Sequence, residues 1–325
     1  MKDIYFEKEY GQLYEDVENG TCEVFEFKHE LGKVRHLFIK RSIPHTLSSE
    51  ILYDLTTPYG YGGPLVLEFK EGKKDELIHS FYEAFKQYCE ANKIISEFIR
   101  FHPLLKNEKD FKNYYDIIFK RNTLLTVLSD TEDVFLREYS ASCRRDIRLA
   151  LKAGVEFKVI LEPDDLEKFK ELYYSTMKRV DAETIYFFSD KYFSECLKHF
   201  KKNIILIEVI YKGQTIGMSL NFIYKNLLHV HLTGTLQEFH HLAPAYVLQY
   251  ALASWGKENG VYGIHLGGGK TGEKDDKLFL FKKKFAKNKE YDFFIGKKIW
   301  NPQLYQKLCE AADRSVEYPS FPAYR

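Results

Sequence analysis

At 325 residues, 45% hydrophobic and 16% aromatic, the chain is long enough for two ordinary domains and apolar enough to fill their cores, which excludes global disorder. Its 48 basic and 47 acidic side chains leave a formal charge of +1, which excludes a dedicated nucleic-acid coat. No run of 18 apolar residues occurs and the opening MKDIYFEKEY has no signal-peptide core, so no membrane span is expected. Cys22, Cys89, Cys143, Cys196 and Cys309 are widely spaced and form no CxxC, which points to unpaired thiols in a reducing cytoplasm.

In chain order, CEVFEFKHELGKVRHLFIKRSI reads as two strands around a turn at Gly32, followed by the loop PYGYGGPLV. The next segment, DELIHSFYEAFKQYCEAN, carries Leu77, Phe81, Phe85 and Tyr88 at helical spacing, and the strand IISEFIRFHP closes this unit. Then comes SASCRRDIRLALKAGVEF, where Ser142 is expected to cap a helix that Gly154 ends. Its Ile147, Ala150 and Leu151 are expected to face inward, with Arg144, Arg148 and Lys152 as a basic stripe. The second half repeats the first. NIILIEVIYKGQTIGMSLNFIYKNLLHVHLTGT gives strands separated by turns at Lys212-Gly213 and Lys225-Asn226, then comes the helix APAYVLQYALASWGKENG, and VYGIHLGGG forms a final strand. Strands, helix and strand, twice over, predict an α/β fold of two similar domains, 1–140 and 141–325.

The last strand runs into GGGKT, which resembles a phosphate-binding P-loop. The strict pattern needs glycine where this chain has Ile264, so the motif fails. Gly267, Gly268 and Gly269 instead sit at a strand end, where open α/β sheets bind ligands. The following KLFLFKKKFAKNK has six lysines and no acidic residue, and Phe279, Phe281 and Phe285 interleave to hold neighbouring lysines against the body. In the 57–64 loop, Tyr59 and Tyr61 ride on a turn rich in glycine and proline that suits either a structural crossover or a sugar- or peptide-binding loop. His229 and His231 alternate along a strand and should share one face. No carboxylate or cysteine stands at ligand spacing, so no metal is expected. HExxH and GxSxG are absent, and no residue is marked as an activated nucleophile.

Two segments resemble the Fem-type and BioF-like acyltransferases, a branch of the GNAT superfamily. SCRRDIRLALKAGVEF is similar to that branch's arginine-rich helix, and LGGGKTGEKDDKLFLFKKKF to its glycine–aspartate–phenylalanine–lysine signature, with Asp276, Leu278, Phe281, Lys282 and Phe285 in the matching places. YYSTMKR and PYGYGGPL are also similar. The resemblance implies two tandem GNAT-like domains, each a mixed sheet flanked by helices. It implies transfer of an acyl group to an amino group of a cell-envelope precursor, an amino-sugar nucleotide or surface polysaccharide. Acyl-CoA is the implied donor. The alternative is an aminoacyl-tRNA, as in Fem-type enzymes that build peptidoglycan bridges, which would make tRNA a partner. A reading of another class is a non-catalytic module that binds tRNA or phosphorylated glycans.

By the same resemblance, Lys282 and Asp276 are the expected catalytic residues. Tyr59, Tyr61, Gly62, Gly63, Arg144, Arg145, Arg148 and Arg179 are the expected substrate contacts, the arginines because bidentate geometry suits phosphate. Thr233, Gln237, Gly267, Gly268, Gly269, Phe281 and Phe285 are expected at the donor. Acyl transfer to a neutral amine needs positioning and charge near the oxyanion rather than a protein nucleophile. One departure stands out: LQEFHHLAPA, ahead of the second helix, has no glycine where CoA-binding relatives place a diphosphate loop.

Overall fold

A computed structural model describes residues 2–44, 50–129 and 132–325. The chain forms two compact units, one of residues 1–120 and 292–325, the other of residues 121–291. The boundary read near residue 140 falls inside the second unit. Local pattern could not place it, because the chain leaves and re-enters the first unit along strands, without a linker.

In the first unit, β1 (Thr21–His29) and β2 (Gly32–Ser42) form the hairpin expected at Gly32. β3 (Tyr53–Thr56) and β4 (Leu65–Phe69) both pair with β2, and β3 pairs in parallel with β5 (Ile94–Arg100). The crossover to β5 includes the helix Lys74–Ala91, whose Leu77, Phe81 and Phe85 are buried as their spacing predicts. They pack with Phe38, Ile99 and Phe101.

The second unit begins on β6 (Asp116–Val127) and continues with β7 (Val155–Leu161), β8 (Ile204–Tyr211), β9 (Gln214–Tyr224), β10 (Leu227–Thr235) and β11 (Gly263–Gly268). Their order across the sheet is β6-β11-β10-β9-β8-β7. Lys212 and Gly213 both have positive φ, the conformation a tight hairpin turn demands. The helix Pro244–Glu258 returns the chain from β10 to a parallel β11, burying Val247, Leu248, Ala251 and Leu252. The arginine-rich helix runs Ala141–Lys152, and Ser140 caps it by accepting from the Cys143 N–H. The expected cap, Ser142, lies inside the first turn, because Ala141 already has helical geometry.

β12 (Glu290–Ile299) then carries the chain back to the first unit, where it pairs antiparallel with β5. The helix Pro302–Ala311 buries Tyr305, Leu308 and Cys309 against Ile43, Leu52 and Ile95. Arg325 Nε donates to Asp54 Oδ2 at 2.5 Å. These contacts, all within the first unit, are why the C-terminal segment belongs there.

Candidate active site

The parallel pairing of β10 and β11 holds from Leu227↔Gly263 to His229↔His265. β10 then shifts register between Val230 and Leu232, and β11 between His265 and Gly267. β10 runs on to Thr235 beside β9, and Gly267 and Gly268 follow β6. The strands therefore part at their carboxyl ends, where an α/β sheet offers a ligand crevice.

The GGGKT turn at the end of β11 is built the opposite way from a phosphate loop. In a P-loop, backbone N–H groups point at the anion. Here the carbonyls meet cations: Lys282 Nζ donates to the Gly268 carbonyl at 2.7 Å, and Arg121 Nη1 donates to the carbonyls of Gly269 and Lys270, each at 2.5 Å. The Thr271 N–H is spent on Asp276 Oδ2 at 2.6 Å. Asp276 also caps the helix Lys277–Lys283, accepting from the Phe279 N–H at 2.8 Å. Gly269 is glycine for a steric reason, since a Cβ there would come within 2.5 Å of the Asp276 carboxyl carbon and both its oxygens.

Electrostatics separates the two residues expected to be catalytic. Burial acts to raise the Asp276 carboxyl, but the N–H groups of Thr271, Phe279 and Lys270 and the Thr271 hydroxyl hold it at about 2. An acid this strong is a cap and a weak base. Burial instead lowers the Lys282 ammonium to about 8, with the Asp276 charge acting to raise it and the Arg121 charge to lower it. Lys282 is thus a desolvated cation close to its titration point, with one N–H committed to Gly268 and capacity for two more acceptors. Arg121 Nε is buried with no partner, a second donor left unsatisfied beside the same turn. Sequence reasoning missed Arg121. Nothing local distinguishes it from its strand neighbours, and it lies 148 residues from the carbonyl it binds.

Residues 137–275 match the family model of an acetyltransferase (GNAT) domain. The solved structure of FemX is similar over 94% of this chain and 94% of its own, at 14% identity and a TM-score of 0.69. L-PGS from Bacillus licheniformis is similar over 91% and 93%, at 13% and 0.54, and a tandem GNAT protein from the clavulanic acid biosynthesis pathway over 86% and 84%, at 8% and 0.52. No curated protein matches. The chain is an acyltransferase that carries a GNAT domain over residues 137–275, in a fold similar to that of FemX.

Within this acyltransferase the other expected site residues fall into distinct places. Thr233 lies on the part of β10 beyond the parting point, half-buried opposite Ser219. Gln237 is exposed at the start of the 3-10 turn Gln237–Leu242. Arg179 ends the helix Glu167–Arg179 and donates to the Thr235 carbonyl at 2.6 Å, tying that helix to the end of β10. Phe281 is half-buried against Tyr246, at 5.6 Å between ring centroids. Phe285 is fully buried in the hydrophobic core, against Tyr139 and Tyr246.

The arginines of the Ala141–Lys152 helix divide by task. Arg144 spends its Nη1 on the carbonyls of Phe135, Leu136 and Tyr139, closing the helix Val134–Glu138, whereas Arg145 and Arg148 are exposed. Tyr59, Tyr61, Gly62 and Gly63 belong to the first unit. Tyr61 packs between Tyr5, His102 and Phe293, at centroid distances of 5.2, 5.5 and 5.4 Å. Gly62 donates to the Arg100 carbonyl at 2.7 Å, and Tyr10 OH donates to the Tyr59 carbonyl at 3.1 Å.

All five cysteines are buried and unpaired. Burial pushes the Cys22, Cys143 and Cys196 thiols up to about 12, too high for a working thiolate. His231 sits at the β10 bulge with Nε2 2.5 Å from the Tyr192 hydroxyl, and burial holds it neutral, at about 3. Among the described residues no group of three His, Cys, Asp or Glu could hold a metal ion. Among them, too, no helix is long and apolar enough to cross a membrane.

Proposed function

We propose that this protein is an N-acyltransferase that moves an acyl group onto an amino group of a cell-envelope precursor, with Lys282 as the catalytic cation. The observation that carries the reading is the desolvated Lys282 ammonium at the parted ends of β10 and β11, supported by a helix that Asp276 caps. The amine nitrogen attacks the acyl carbonyl carbon, and the carbonyl π pair moves onto oxygen. The oxyanion collapses, expelling the thiolate or alkoxide of the donor, and the nitrogen's proton leaves with that group. A preorganised cation beside the oxyanion lowers this barrier by about 3 kcal/mol. In this reading Lys282 supplies that charge, while Asp276 and Arg121 are positioning residues that fix the turn.

Acyl-CoA is the donor expected of a GNAT domain, yet one feature argues for an aminoacyl-tRNA ester. A CoA diphosphate needs free N–H groups at a helix start. Here Pro244 has none, and the N–H groups of Tyr246 and Val247 are both taken by the Ala243 carbonyl, at 2.9 and 3.2 Å. Of the first-turn N–H groups, that leaves Ala245 to meet a diphosphate.

The test is single-turnover transfer from labelled acetyl-CoA or charged tRNA to amino-sugar nucleotides and peptidyl precursors. Product from either donor, lost in Lys282→Met, supports the reading and chooses the donor. If neither donor acylates any amine, the reading falls.

A further inference from the structure

Away from the parted strands, the second unit has an apolar cleft of about 410 Å³ between the helices Val134–Glu138, Ala141–Lys152 and Pro244–Glu258. Phe135, Leu136, Ile147, Leu151 and Tyr250 line it, with Arg148 at its rim. Two leucines stand out on these helices: Leu136, which lines the cleft, is 61% exposed, and Leu149 is 58% exposed. Large apolar side chains this open, next to an apolar cleft, mark an interaction surface.

Cations outnumber acids around it: Arg144, Arg145, Arg148 and Lys152 stand against Asp133, which also lines the cleft, and Asp146. Arg145, Arg148, Leu149 and Lys152 follow one another at helical spacing on the exposed stripe of the Ala141–Lys152 helix. The nearby acids are already engaged. Asp133 Oδ1 caps the preceding helix by accepting from the Leu136 N–H at 2.8 Å, and Asp146 accepts from Arg145 at 3.1 Å. Arg144 is held by backbone carbonyls and serves the fold.

We infer that this face docks the protein onto an anionic phospholipid surface, with Leu136 and Leu149 entering the interface and Arg145, Arg148 and Lys152 pairing with headgroup phosphates. Cations complement the headgroups, and Leu149 on the same stripe, with Leu136 on the preceding helix, complements the acyl boundary, the two requirements of an interfacial surface. A nucleic acid would use the cations alone, leaving both leucines and the cleft in water. The inference stands apart from the proposed reaction, because it concerns a different face and its test reads binding.

The experiment is flotation of the full chain with vesicles of phosphatidylglycerol and phosphatidylcholine, against phosphatidylcholine alone. The expected result is binding to the acidic vesicles only, weakening with salt. Arg145→Ser and Arg148→Ser should each weaken it about fivefold, and Leu149→Ser about tenfold. Leu149 is exposed, so its variant should melt as the wild type does, separating docking from folding. Equal binding to neutral vesicles, or none to acidic ones, overturns the inference. So does a Leu149→Ser variant that binds as the wild type does while a single-stranded RNA oligonucleotide competes the vesicles away, which would make the face a nucleic-acid surface.

Discussion

The protein has two segments rich in glycine and aromatic residues, and they are used in contrasting ways. In the 57–64 loop of the first unit, the polar backbone groups turn inward: Asn107 Nδ2 donates to the carbonyls of Gly62 and Pro64, and Tyr61 is wedged among other rings. In the 267–285 segment of the second unit, a comparable cluster is arranged around charge. Lys282 and Arg121 hold carbonyls that would otherwise face the crevice, and the Asp276 carboxylate anchors the helix that carries the lysine. The difference is one of satisfaction. A loop whose groups are engaged by partners within its own unit gains rigidity, while a half-buried cation with spare donors retains capacity for a ligand.

The largest expected effect tests that contrast directly. Lys282→Met should lower kcat by about a hundredfold or more, with the circular dichroism spectrum unchanged. Wild-type turnover in this variant would place the chemistry elsewhere. Next is Gly269→Ala, whose methyl would collide with the Asp276 carboxyl. It should cost about 1–3 kcal/mol in denaturant unfolding and lower kcat together with stability; an unchanged melting curve would mean the turn yields freely.

The pH dependence of stability sharpens the same comparison. Lys282 titrates near 8 when folded and near 10.5 when exposed. Between those values the unfolded chain binds more protons, so the wild type should gain stability relative to Lys282→Met as pH rises from about 8 to about 10.5. A flat difference across that window would remove the desolvation argument. Asp276 has the same sign in a lower window: its folded value of about 2 lies below the ordinary 3.8. Its contribution, measured against Asp276→Asn, should be present above about 3.8 and vanish as pH falls through about 2.

The smallest effect on turnover is expected in the first unit. Gly63 has φ +85, and a Cβ there would meet Ile99 Cγ2 at 2.8 Å, so Gly63→Ala should destabilise by about 1–3 kcal/mol. If the loop serves only the fold, Tyr59→Phe and Tyr61→Phe will leave KM for the acceptor unchanged. A raised KM in either would make the tyrosines substrate contacts and erase the contrast.

Much of the fold was legible because its cause is local. The stripe Leu77–Phe81–Phe85, the positive-φ turn at Lys212-Gly213 and the strand-to-glycine ending at Gly263–Gly268 each follow from residues a few positions apart. The arginine stripe was legible only in part. Spacing placed Arg144 with Arg148, but the carbonyls of the preceding helix, which spacing does not reveal, engage Arg144. The domain boundary was hidden for a similar reason, since β12 and the segment after it are claimed by Asp54 and Ile95, far upstream.

By itself, the sequence determined the two α/β halves and the failed P-loop pattern, since each is written in short-range spacing and residue type. Only the tertiary structure decided that Asp276 is a cap rather than a base, that Arg121 completes the turn, and that Lys282 sits near neutrality. A pKa and a hydrogen-bond partner depend on burial and on groups brought in from distant strands, and no local pattern encodes either.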